Sequence, residues 1–122
     1  MRERSVAALE HMLEALGYVK EDLAGVDRAR FRADRRVRQL VERNLELISA
    51  ASRRLEPEIL RHAADIDWRA VAGMGNVLRH EYHHVDPDAL WETCARDLEP
   101  IEAAVRRMIR HARPDASQDS AT

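Results

Sequence analysis

The stretch from Asp86 to His111, DPDALWETCARDLEPIEAAVRRMIRH, decides the fold. Asp86-Pro87-Asp88 reads as a helix start. It offers a capping carboxylate, a proline whose missing N–H costs nothing in the first turn, and an acid at the positive end of the helix dipole. Behind it, Trp91, Cys94, Leu98, Ile101, Val105 and Met108 recur in steps of 3, 4, 3, 4 and 3, one apolar seam along one helix. Arg106, Arg107, Arg110 and His111 follow at the end where the dipole favours cations. Pro100 falls inside the seam and is expected to bend the helix or break it locally.

Working upstream, the same periodicity predicts a helix from about Arg4 to Ala24, with Val6, Leu9, Leu13, Leu16 and Leu23 on one stripe and Gly25 as its stop. Asp27 caps a second helix read as continuous to about Leu55. Its core face is Val37, Val41, Leu45, Ile48, Ser52 and Leu55, flanked by Leu40 and Leu47. Pro57 opens a short helix carrying Ile59 and Leu60. Asp67 caps a helix that starts at Trp68, and Pro87 forces it to finish by about His84. Neither strand alternation nor a repeat is visible. The expectation is an all-α antiparallel helical bundle of four main helices plus one short helix, in a single domain over residues 1–113. Residues 114–122 have almost nothing to bury and read as a disordered tail.

Composition agrees. Of 122 residues 34% are charged and only 4% aromatic, with four glycines and four prolines, a helical rather than a strand-forming mixture. The single cysteine, Cys94, excludes an internal disulfide and cysteine-based zinc knuckles, and its place in the seam reads as a buried structural thiol. No run of about 18 apolar residues exists and the first residues form an amphipathic pattern, so a soluble cytoplasmic protein is expected, with no membrane segment. A net charge of −2 gives no bulk attraction to polyanions. The arginine run Arg28, Arg30, Arg32, Arg35, Arg36 and Arg38 could touch phosphate, but reads first as a solvated helix face.

The chemistry concentrates between Val71 and Asp86. On a helix, Val71, Met74, Leu78 and Tyr82 share a core face, while Gly73, Asn76, His80, His83 and His84 share a polar, histidine-rich one. His80-Glu81-Tyr82-His83-His84 also matches the H-E-x-x-H pattern of zinc hydrolases. That chemistry needs a third ligand and a cleft, which a short helix end in a small bundle does not offer, so no bound metal and no cofactor are expected.

These segments together resemble the HepT-like toxins of the HEPN (higher eukaryotes and prokaryotes nucleotide-binding) superfamily. The resemblance lies in the Val41–Leu55 helix, in Asp67-Trp68, in the run Gly73-Met74, Asn76, Leu78, His80-Glu81-Tyr82 and Val85-Asp86, and in Leu90-Trp91 with Asp97-Leu98. It spans about Val6 to Met108 and implies a metal-independent endoribonuclease of a toxin–antitoxin pair. The family motif is an arginine, four to six residues, then a histidine, often continuing as His-x-Tyr. It carries over onto His80 as the proton-moving group, Asn76 in the motif, and Tyr82 as the tyrosine. The resemblance further implies a homodimer that cuts RNA and is silenced by a cognate minimal nucleotidyltransferase, which adds AMP to Tyr82. The chain departs from the family at Gly75, where the motif arginine belongs, and at Ala50, where a glutamate is usual. A copy inactivated or weakened at Gly75 is therefore expected. The alternatives are a non-catalytic HEPN subunit that binds a nucleotidyltransferase and, more distantly, a zinc hydrolase.

Overall fold

The computed structural model describes residues 2–80 and 85–113. The elements are α1 (Arg2–Leu23), α2 (Arg28–Ala33), α3 (Arg35–Ser52), α4 (Pro57–Leu60) with a 3-10 turn at Arg61–Ala63, α5 (Trp68–His80) and α6 (Pro87–Ala112). All the secondary structure among the described residues is helical.

The capping signals work as the side chains suggest. The Asp27 carboxylate accepts from the Arg30 amide (2.8 Å), Asp67 from the Ala70 amide (3.1 Å), and Asp86 from the Asp88 amide (3.0 Å). Each satisfies an amide that the first helical turn leaves without a carbonyl partner. Trp68 anchors the start of α5 by donating its indole N–H to the Ala63 carbonyl at 2.8 Å.

One expectation needs correction, and of the bend or break expected at Pro100 the break is absent. The helix read as continuous from Asp27 to Leu55 is broken at Asp34, whose backbone is extended (φ −102°, ψ 95°) and whose carboxylate caps α3 by accepting from the Val37 amide. The Arg38 guanidinium donates to the Phe31 carbonyl at 3.0 Å and to the Arg32 carbonyl, holding the end of α2. The reason lies in packing: the break lets Phe31 bury itself completely and tilt against Trp91, ring centroids 5.3 Å apart. Pro100 does not interrupt α6, which runs unbroken to Ala112. The carbonyl of Arg96, four residues earlier, is the one Pro100 cannot satisfy, and both residues are exposed, so water can take the missing donor's place.

The main helices alternate in direction. The Glu56 amide, just past α3, meets the Ser5 hydroxyl at the start of α1, and Arg113, just past α6, pairs with Glu10 of α1. The core is Leu9, Met12, Leu16 and Val19 of α1, Val41, Leu45 and Ile48 of α3, and Ile101, Val105 and Met108 of α6. Leu40 and Leu47, expected on the flanks, are indeed exposed. α5 packs on α3 and makes few contacts with α6. That leaves an apolar groove of two adjoining cavities, about 390 and 420 Å³, that share Leu45, Met74 and Thr93. No helix among the described residues is long and apolar enough to cross a membrane.

Candidate functional site

Helical rotation of about 100° per residue sorts α5 into two faces. Val71, Gly75 and Leu78 are buried, whereas Arg69, Gly73, Asn76, Val77 and His80 are exposed. Asn76 and His80 lie one turn apart on the outer face, as the sequence pattern requires. Tyr82, His83 and His84 lie outside the described residues, as does Glu81. Of the H-E-x-x-H match only His80 is therefore described.

Gly75, at the position of the family arginine, is a buried residue of α5. It sits about 140° around α5 from His80 and faces α3. A Cβ built there would lie 2.8 Å from the Ser49 Oγ and 3.0 Å from the Ser49 Cβ. The contact is bonded as well as close. The Gly75 N–H donates to the Ser49 hydroxyl at 2.9 Å, and that hydroxyl donates to the Ala72 carbonyl at 2.8 Å. One turn on, at the C-cap of α3, Arg53 donates to the same Ala72 carbonyl from Nε (3.1 Å) and Nη2 (2.7 Å). Glycine at 75 thus leaves room for the Ser49 side chain, which a Cβ at 75 would have to displace. Sequence reasoning missed Ser49 and Arg53. Both stand on a helix whose register against α5 no local pattern reports.

The other candidates resolve into structure. Within the arginine run, Arg32 binds Asp88 at 2.8 Å, and Arg28 binds Asp88 at 3.3 Å and Glu92 at 3.0 Å. The two guanidiniums hold the Asp88 carboxyl below its ordinary range. Arg28, Arg32 and Arg38 thus hold α2 against α6 and the start of α3, while Arg30, Arg35 and Arg36 stay on the solvated face. Burial pushes the Cys94 thiol up to about 12, with Asp97 adding to the shift, which keeps it protonated and unreactive. A polar groove of about 290 Å³ lies between α3 and α5, lined by Gln39, Glu42, Arg43, Glu46, Leu78 and Arg79. There burial raises the Glu42 carboxyl. Among the described residues no group of three or more histidine, cysteine or acidic side chains could hold a metal ion.

The all-helical bundle, matched by the family model over most of its length, is of the HEPN type. Within that class the chain belongs to the HepT-like ribonuclease family: the family model described as "Ribonuclease HepT-like" matches residues 12–108. Relatives agree. A Caldanaerobacter subterraneus subsp. tengcongensis protein named "Putative RNase" is 28% identical over 84% of this chain and 91% of its own length. A Methanocaldococcus jannaschii protein of the same description is 30% identical over 86% of this chain and 97% of its own. A "Probable ribonuclease HepT" from Thermococcus cleftensis is 29% identical over 82% and 91%. No solved structure gives a significant match.

Proposed function

We propose that this chain is the HepT-like toxin of a toxin–antitoxin pair, a metal-independent endoribonuclease whose cleavage is weakened at Gly75. The observation that carries the reading is the family match over residues 12–108 together with the exposure of Asn76 and His80 on one face of α5. RNA supplies its own nucleophile: the 2′-hydroxyl attacks the adjacent phosphorus as its proton leaves, the bond from phosphorus to the 5′-oxygen breaks, and that oxygen departs with a proton, leaving a 2′,3′-cyclic phosphate. His80 moves protons in that step; an imidazole suits the task because one ring nitrogen accepts a proton and the other donates one. Charge then builds on the non-bridging oxygens, where a guanidinium would meet it with two donors. Glycine at 75 supplies none, and the space beside it is filled by Ser49. Loss of such stabilisation removes a factor of about 10²–10³.

Two copies bring their motif helices together around the Gly73, Asn76 and His80 face, where a Cβ at Gly73 would meet nothing within 4 Å among the described residues. A cognate nucleotidyltransferase silences the toxin by adding AMP to Tyr82. The fit of Gly75 against Ser49 favours one second reading, a non-catalytic HEPN subunit that binds the nucleotidyltransferase. In that case glycine at 75 is the settled state of the fold and not a loss.

The test is a ribonuclease assay of the chain, His80→Ala, and Gly75→Arg combined with Ser49→Gly, since arginine alone would strike Ser49. Slow cleavage that rises in the double variant and vanishes when His80→Ala is added to it supports the toxin. No cleavage by any form supports the non-catalytic subunit. Cleavage unaffected by His80→Ala refutes the site. Light scattering checks the dimer, and a monomer at micromolar concentration would refute it.

A further inference from the structure

The Arg53 guanidinium is parked where it is not needed. Ala72 has one carbonyl with two lone pairs. Its helical partner is the Asn76 amide, and the Ser49 hydroxyl already donates to it at 2.8 Å. Arg53 adds Nε and Nη2 to the same oxygen, which leaves both Nη1 hydrogens and one on Nη2 for other acceptors. Arg53 is exposed, and among the described residues it forms no ion pair within 4 Å, unlike Arg28, Arg32 and Arg107.

Its position gives this charge a use. Ala72, Asn76 and His80 are spaced i, i+4, i+8, one row along α5 about 12 Å long from end to end. A helical carbonyl points toward the C-terminus, while a side chain leans toward the N-terminus. Helical rotation sets Asn76 about 40° and His80 about 80° around α5 from Ala72, so the guanidinium comes in on the α3 side of the outer surface that carries Asn76 and His80. The close α3–α5 contact at Gly75 is what delivers the cation.

We propose that Arg53 is the substrate-binding cation of this site, gripping a backbone phosphate of single-stranded RNA laid along the Ala72–Asn76–His80 row. The inference rests on the ribonuclease reading, but it concerns binding rather than turnover. A phosphate bond to guanidinium is charge-assisted and displaces the crowded contact with a neutral carbonyl. A chain that cuts slowly for want of a cation at 75 still holds RNA through a cation from the neighbouring helix.

The experiment is fluorescence anisotropy of a labelled, mixed-sequence single-stranded RNA against the full chain, Arg53→Gln, Arg53→Lys, His80→Ala and, as a surface control, Arg110→Gln, each over a salt series. Arg53→Gln should weaken binding about tenfold or more at low salt. It should also reduce the log–log salt slope by about 0.7, the value of one phosphate contact on a single strand. Arg53→Lys keeps the slope because it keeps the charge, even if loss of the Ala72 contact loosens the fold. A merely structural role would lower thermal stability without changing the slope. The inference is overturned if the chain does not bind RNA, if Arg53→Gln leaves affinity and slope unchanged, or if Arg110→Gln has an equal effect. If His80→Ala cleaves as the parent does, the ribonuclease reading fails while the Arg53 contact stands.

Discussion

Replacing Gly75 with alanine sets two effects of opposite sign against each other. In an ordinary helix interior the change stabilises by up to about 1 kcal/mol, because glycine loses more backbone freedom on folding. Here the new Cβ would sit 2.8 Å from the Ser49 Oγ and 3.0 Å from its Cβ. Turning the hydroxyl away relieves only the first contact. It also gives up the bonds to the Gly75 amide and the Ala72 carbonyl, each contributing about 0.5–1.5 kcal/mol. Overpacking of this kind costs about 1–3 kcal/mol. The net expectation is a loss of about 1–2 kcal/mol, or roughly 5 °C or more in Tm for a domain of this size. In a Ser49→Gly background both offending atoms are gone, and Gly75→Ala should become neutral or stabilising, a coupling of about 2 kcal/mol. Urea denaturation of the four proteins closes the cycle. If Gly75→Ala stabilises the parent protein, or acts equally in both backgrounds, the glycine is not a packing requirement and its reading as a bare loss of arginine returns.

Three further outcomes are expected. His62 stacks on His111 with centroids 3.8 Å apart, and its pKa is lowered from 6.5 by desolvation, with the His111 and Arg61 charges adding to the effect. The unfolded chain therefore binds this proton first, so the contribution of the neutral imidazole is complete above about pH 6.5 and is lost as the pH falls through the lower folded value. His62→Phe should remove that part of the acid sensitivity, read by denaturant melts from about pH 7 to pH 5; an unchanged pH profile would refute it. Cys94, its thiol pushed up to about 12, should resist iodoacetamide in the native protein and react once unfolded, followed by intact mass; rapid native labelling would show the seam to be open. Asp34→Ala removes the cap of α3 and should cost about 1 kcal/mol by the same denaturant assay, whereas no loss would mean the break between α2 and α3 is held by Phe31 packing alone.

Local rules determined most of the elements. A carboxylate before an amide that lacks a partner, a proline that needs no N–H, and an apolar residue every third or fourth position act through bonds and angles a few residues long. That is why Asp67, Asp86-Pro87 and the seam from Trp91 to Met108 were legible in the chain itself, and why the order of the motif pieces around Asn76 and His80 pointed to the family. The break at Asp34 was written as weakly as its capping signal, one aspartate in a helical run. It was decided by Phe31 finding Trp91, sixty residues away in sequence. Position 75 depended still more on tertiary structure. From the sequence it is a glycine where an arginine belongs. Only the register of α3 against α5 shows that its hydrogen faces Ser49, on the side of the helix away from His80, and that the same contact brings Arg53 to Ala72. Helix periodicity tells which residues turn inward; which partner each one meets depends on how whole helices slide and cross, and that is fixed by the packing of the entire core.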